Sequence, residues 1–275
     1  MICWLNGVLL PAEKATLSIS DRGLLLGDGL YETMRVAKGH AVRLERHLAR
    51  LHQGAKVIDL PVSDSSLSNP SVPVFSLEDA IAETIAANAL DHGSLRLTIT
   101  RGSGPRGIPP PEQPTPTILI TAFAAGPVLS PARVITARRT RRNEWSPLAA
   151  VKSINCLDDI VARLEAREAG CDDALLLNTA GVVAEATAAN IFARFGDQLL
   201  TPPLIDGCLP GITRAAILET TAREVSFTPD DLRRADEIFL TSSLGIRAVA
   251  ELDGRTLPAC PGPETLRLTS LLFGS

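Results

Sequence analysis

The chain has 275 residues, 45% hydrophobic and 21% charged, enough apolar material for one large or two ordinary domains. Its formal charge of -4 provides no global basic field, which argues against nucleic acid or an acidic membrane surface as a partner. Cys3, Cys156, Cys171, Cys208 and Cys260 are odd in number and never spaced CxxC, which argues against a disulfide framework or a zinc site and fits a reducing cytoplasm.

The opening Met1-Ile-Cys-Trp-Leu-Asn-Gly7 lacks a basic leader region, and no apolar stretch reaches the roughly 18 residues of a membrane span. The first forty residues alternate short apolar runs with glycine turns, which predicts strands and hairpins rather than helices. Leu44, Leu48, Leu51, Ala55 and Ile58 form one helical stripe that Pro61 ends. Residues 63–73 read as a polar loop. Ser76 with Asp79 resembles a capping box opening a helix that runs to about Leu90. Strands are predicted over 95–100 and 118–121, separated by a glycine- and proline-rich excursion over 102–116.

Beyond a linker at 126–132 the pattern predicts strands over 134–137, 174–177, 189–193, 238–241 and 247–252. Helices are expected over 157–168, 213–224 and the C-terminus. The irregular alternation excludes a doubly wound parallel sheet and predicts two α+β domains: a small N-terminal one over 1–125 and a larger one over 133–275.

Gly102-Ser-Gly104-Pro-Arg-Gly107 satisfies GxGxxG after a strand, but Pro109-Pro110-Pro111 follows where a dinucleotide site needs a helix. A mobile loop remains, and its Arg101 and Arg106 are either solvated or a clamp for a substrate carboxylate. Leu209-Pro-Gly-Ile-Thr-Arg214 opens a helix at which Gly211, Ile212 and Thr213 can meet an anion, although Thr213 also suits a plain N-cap. Lys152 and Glu185, taken separately, read as ordinary surface charges. His40, His47, His52 and His92 form no HExxH, so no metal site is expected.

In order, these segments resemble the class IV aminotransferases: branched-chain and D-amino acid aminotransferases and aminodeoxychorismate lyases. The N-terminal marks are Ser20-Asp-Arg-Gly23, Gly27-Asp-Gly-Leu-Tyr-Glu-Thr33 and His47-Leu-Ala-Arg-Leu51. The C-terminal marks are Lys152-Ser-Ile-Asn155, Glu185-Ala-Thr-Ala-Ala-Asn-Ile-Phe192, Gly207-Cys-Leu-Pro-Gly-Ile-Thr-Arg214 and Thr241-Ser-Ser-Leu-Gly-Ile-Arg247.

The resemblance implies the two-domain fold type IV architecture and pyridoxal 5'-phosphate as cofactor. It assigns Lys152 to the cofactor aldimine, Glu185 to the pyridine nitrogen, and Arg50, Ile212, Thr213 and Ser243 to the phosphate. Tyr31 becomes an active-site phenol, and Arg106 and Arg35 are candidates for substrate carboxylates. It also implies a homodimer acting on a small amino substrate in an interdomain cleft that the partner subunit closes.

The Arg101–Gly107 loop and the Ser243–Val249 run look most like aminodeoxychorismate lyases, which release pyruvate and 4-aminobenzoate in folate synthesis. The Tyr31-Glu32 pair also resembles D-amino acid aminotransferases. The lyase is therefore the first expectation. The alternative is an aminotransferase of D-amino acids or branched-chain L-amino acids with 2-oxoglutarate. A non-catalytic homologue is disfavoured by the presence of both Lys152 and Glu185.

Overall fold

The computed structural model describes residues 1–62 and 76–274. The polar loop expected over 63–73 lies outside them. The chain divides into two compact units, Met1–Pro127 with Val151–Asn155, and Val128–Ala150 with Cys156–Ser275. Mixed helix and sheet in both units is the expected α+β class. Val151–Asn155, expected in the C-terminal domain, packs with the first unit instead, because its backbone pairs with a strand there.

The first unit contains strands β1 (Ile2–Leu5), β2 (Val8–Pro11), β3 (Gly29–Ala37), β4 (His40–Ala41), β5 (Gly93–Thr100) and β6 (Thr117–Ala124). Its helices are α1 (Arg22–Leu26), α2 (Leu44–Val57) and α3 (Leu77–Ala87). The strands form one antiparallel sheet in the order β2-β1-β6-β5-β3-β4. Period-two alternation gives that sheet two faces. Leu30, Met34 and Val36 of β3 and Leu95, Leu97 and Ile99 of β5 join a core with Leu48, Leu51 and Ala55 of α2 and with Ile81 and Ile85 of α3. The alternate residues Tyr31, Thr33, Arg35 and Arg96 stand half-buried on the other face.

The short α1 falls where only strands and hairpins were expected. Its N-cap Asp21 accepts from the Gly23 amide at 2.8 Å, and Gly27 ends it in the left-handed region at φ +68°. One turn of helix shows no apolar period, so a cap and a glycine are its only sequence signals.

The second unit contains β7 (Ala132–Thr136), β8 (Asp173–Leu177), β9 (Val183–Ala186), β10 (Asn190–Phe195), β11 (Gln198–Thr201), β12 (Arg223–Glu224), β13 (Glu237–Ser242), β14 (Gly245–Leu252) and β15 (Arg255–Thr256). Its helices are α4 (Leu157–Glu168), α5 (Ile212–Leu218), α6 (Pro229–Leu232) and α7 (Pro263–Phe273). A mixed sheet runs β12-β11-β10-β13-β14-β7-β8-β9, with β15 on β14. The strand β8 is buried along its whole length, as its run Ala174-Leu-Leu-Leu177 requires of a strand covered on both faces. On one side Ala137, Ala174 and Leu176 pack on Ala162 and Ala166 of α4.

Helix α5 stops at Leu218 rather than near Glu224. The Thr220 amide and hydroxyl both donate to the Ile217 carbonyl, closing the last turn, and Arg223–Glu224 then pairs in parallel with Leu200 and Thr201. Among the described residues no helix is long and apolar enough to cross a membrane.

Candidate active site

In the first unit, β3 carries Tyr31 to one face and Glu32 to the other. The segment bearing Lys152 lies along the start of this strand. The Tyr31 amide donates to the Lys152 carbonyl at 3.0 Å, and the Ile154 amide to the Gly29 carbonyl at 3.1 Å. Such an approach needs small residues. A Cβ on Gly27 would lie 2.1 Å from Asn155 Oδ1, and one on Gly29 would lie 2.6 Å from the Ile99 carbonyl oxygen. Main-chain pairing thus sets Lys152 beside Tyr31. Lys152 Nζ donates to Tyr31 Oη at 3.3 Å and sits 4.3 Å from the ring centroid.

Arg96 adds a cation that the sequence reading missed. Its Cζ lies 3.8 Å over the same ring. Its guanidinium has no acidic partner among the described residues. The available signal was its place in β5, a charge at a position alternate to Leu95, Leu97 and Ile99. Arg35 stands on the same face of β3 as Tyr31, four residues along.

Arg50, expected at the cofactor phosphate, sits in a buried cluster. Its Nε donates to Glu32 Oε1 at 2.8 Å and its Nη2 to Oε2 at 2.6 Å, while His47 Nδ1 lies 2.7 Å from Oε2. Glu32 is fully buried. Burial opposes its ionisation, but the bonds from His47 and Arg50 outweigh this and hold its carboxyl below the ordinary value.

A carboxylate whose native pKa is depressed contributes stability that is present above its unfolded pKa and lost as pH falls through the native one. Thermal unfolding of wild type is thus expected to fall more steeply below pH about 4.5 than that of Glu32→Gln, with 4.5 the ordinary glutamate value. Parallel curves for the two proteins would refute it. At neutral pH Glu32→Ala should cost about 3–5 kcal/mol, because it removes the carboxylate that pairs with a buried guanidinium.

In the second unit Glu185 lies on β9, nearly buried at 6% exposure. Its Oε1 meets Arg142 Nη2 at 2.8 Å, and its Oε2 accepts from the Leu209 amide at 3.0 Å and from Asn190 Nδ2 at 3.4 Å. Arg142 also donates to the carbonyls of Gly207 and Ala149. Neither Arg142 nor Asn190 was singled out from sequence: Arg142 is one of four arginines between 138 and 142, and Asn190 stood only as a member of the Glu185–Phe192 run.

Asn190 packs so closely on the start of α5 that a Cβ on Gly211 would meet its Oδ1 at 1.9 Å. The Thr213 hydroxyl donates to the Ser242 carbonyl at 2.7 Å, which ties that helix start to the turn carrying Ser243. Nearby in sequence the buried Thr241 hydroxyl has no hydrogen-bond partner among the described residues.

Arg106, the other substrate-carboxylate candidate, is exposed, whereas Arg101 is buried in the scaffold and donates to Asp28, Asp59 and Ile58. Cys208, beside Leu209, is buried, and burial pushes its thiol up to about 12. A neutral alkylating reagent should therefore leave Cys208 unmodified in the folded protein and label it after unfolding; mass spectrometry of the peptides decides.

The donor chemistry fits pyridoxal phosphate feature by feature. An amine suits its aldehyde and a buried carboxylate suits its ring nitrogen. The amides of a helix start, the Thr241 hydroxyl and a guanidinium suit its phosphate. Among the described residues no group of three or more metal-ligating side chains is assembled.

The family model for class IV amino-transferases matches residues 29–252. A provisionally assigned branched-chain-amino-acid aminotransferase of Methanocaldococcus jannaschii is 34% identical over 94% of this chain and 90% of its own. Among solved structures, the branched-chain amino acid aminotransferase of Escherichia coli matches with a TM-score of 0.89 at 27% identity, over 99% of this chain and 93% of that one. The 4-amino-4-deoxychorismate lyase of Pseudomonas aeruginosa matches with 0.82 at 31%, over 98% and 97%. Sequence and fold agree over nearly the whole chain, and the protein belongs to the class IV aminotransferases, enzymes that depend on pyridoxal phosphate and share this two-domain α+β fold.

Proposed function

We propose that the protein is an aminotransferase that moves an amino group between an α-amino acid and 2-oxoglutarate. The observation that carries this reading is the half-buried Arg96 guanidinium stacked on Tyr31, 3.8 Å from its centroid, on the ring that also meets Lys152. A cation without an acidic partner, next to the reactive amine, is a holder for a substrate carboxylate. Arg35, on the same sheet face, and the exposed Arg106 are the further cations proposed to meet the second carboxylate of 2-oxoglutarate.

Pyridoxal phosphate, when bound, supplies the electron sink that weakens the Cα–H bond of an amino acid. Lys152 holds the cofactor and moves the Cα proton, and Tyr31 orients its amine. Glu185 accepts from the ring nitrogen and keeps it protonated. Arg50, the amides of Ile212 and Thr213, and Ser243 hold the phosphate.

The lyase reading keeps the 31% identity to the Pseudomonas aeruginosa lyase and the likeness of the Ser243–Val249 run. Its further support was the Arg101–Gly107 loop. Arg101 is bonded into the scaffold, so that part of the likeness reports how the loop is anchored rather than what it binds.

The test supplies D-alanine or L-leucine with 2-oxoglutarate and measures glutamate, then supplies aminodeoxychorismate and measures 4-aminobenzoate. Glutamate formation is expected. Turnover in the second assay alone would establish the lyase, and with it a role in folate synthesis.

The family resemblance and the exposed Ile19, Leu24 and Leu25 of the first unit support a homodimer. Light scattering should give twice the chain mass, and a monomer at micromolar concentration would refute it. Five free cysteines fit a reducing, cytoplasmic setting.

A further inference from the structure

Two motifs, Ser20-Asp-Arg-Gly23 and Gly27-Asp-Gly29, have no part in the chemistry above, yet they contribute buried charges. Arg22 is 4% exposed. Its Nε donates to Asp28 Oδ2 at 2.8 Å, its Nη1 to the carbonyls of Gly107 and Pro109 at 3.1 and 3.2 Å, and its Nη2 to that of Ile108 at 2.7 Å. One guanidinium thus collects three successive carbonyls of the loop between β5 and β6. The backbone must curl to present them, and Gly107 takes φ +114°. The sequence reading expected this loop to be mobile; the arginine fork holds it.

The clamp has its own foundation. The Arg22 amide donates to the Gly102 carbonyl at 2.9 Å. Asp21 accepts from the hydroxyls of Thr100 and Thr117 at 2.9 and 2.7 Å, at the two strand ends from which the loop springs. Gly23 packs where a Cβ would lie 2.2 Å from Thr100 Cγ2.

Asp28 Oδ2 also receives Arg101 Nε at 2.8 Å, and Arg101 grips the Ile58 and Asp59 carbonyls after α2. Burial opposes the ionisation of Asp28, and the two guanidiniums outweigh it. Arg106 directly precedes the first clamped carbonyl. It is exposed and has no partner among the described residues, so its root is fixed while its charge stays available.

We infer that Arg22, held by Asp28, is a positioning residue that presents Arg106 to the substrate carboxylate. This rests on the reading of Arg106 as a carboxylate contact. A lysine keeps the ion pair with Asp28 but cannot fork to three carbonyls, so charge and geometry are separable.

The experiment uses the holoenzyme and whichever amino substrate wild type turns over. It compares Arg22→Gln, Arg22→Lys, Arg106→Ala and the Arg22→Gln/Arg106→Ala double variant, and measures KM, kcat, the cofactor absorbance and the rate of tryptic cleavage after Arg106. Both Arg22 variants should be cleaved about tenfold faster and raise KM about tenfold, with kcat and the cofactor band within about twofold of wild type. The double variant should be no worse than Arg106→Ala alone.

A KM effect of Arg22→Gln that persists in the Arg106→Ala background overturns the inference, as does an equal loss in kcat or cofactor. Wild-type behaviour of Arg22→Lys also overturns it, and this variant serves if Arg22→Gln fails to fold. Arg106→Ala with unchanged KM refutes the reading of Arg106 itself and takes the inference with it. Absence of any turnover or cofactor band in wild type refutes the proposed function instead.

Discussion

Turnover by Lys152→Ala is expected to fall by about 10⁴-fold or more, with loss of the visible cofactor band that borohydride fixes to the wild-type chain. The reason is that one amine is asked both to hold the cofactor and to move the proton. The fold should survive the change, because what ties this segment to β3 is main chain, the Tyr31 amide on the Lys152 carbonyl and the Ile154 amide on Gly29. The half-buried ammonium meets Tyr31 through a weak 3.3 Å bond and a ring contact, and the main-chain ties stay in place in the variant, so stability should stay within about 1 kcal/mol of wild type.

Tyr31→Phe separates the two roles. It removes the hydroxyl but keeps the ring, and should reduce kcat by about tenfold while leaving borohydride incorporation intact. Borohydride incorporation into Lys152→Ala at the wild-type level would place the anchor on another residue and remove the basis of the mechanism.

The parts of this arrangement that could be read from sequence are those that repeat with a local period. The stripe from Leu44 to Ala55 placed α2, and the alternation of β5 separated Leu95, Leu97 and Ile99 from Arg96. What the period could not give was partnership between distant segments.

Lys152 is an ordinary lysine until its main chain is seen lying along Gly29 and Tyr31, more than a hundred residues earlier. Arg50 matches a phosphate-binding position by resemblance, but its bond to Glu32 depends on how α2 sits on β3. Arg22 belongs to the Ser20–Gly23 motif, and only the fold shows that the motif fastens a loop whose glycines and prolines suggested freedom. Local chemistry marked the candidates. Register decided what each one touches.

Glu185 is the second residue whose loss should be severe. Glu185→Gln is expected to lower kcat by about 10²- to 10³-fold with a smaller change in KM. The substitution keeps the size of the side chain and removes its charge. Without that charge nothing holds a proton on the ring nitrogen, and the cofactor becomes a weaker sink for electrons when the Cα–H bond breaks.

The surroundings sharpen the expectation. Three donors converge on the carboxylate, from Arg142, Leu209 and Asn190, so a glutamine must turn its amide NH2 toward at least one of them. That clash and the uncompensated Arg142 should together cost about 1–2 kcal/mol of stability, a modest figure because the arginine side chain is 20% exposed to water.

Arg142→Met provides the contrast. It leaves the carboxylate charged but less well oriented, and should reduce kcat by no more than about tenfold. If Arg142→Met were as inactive as Glu185→Gln, orientation rather than charge would be the larger contribution of this cluster. If Glu185→Gln kept kcat within threefold of wild type, the ring nitrogen would have to be served by another group. The absorbance of the bound cofactor across pH distinguishes these outcomes, since only loss of the charge alters how tightly the ring keeps its proton.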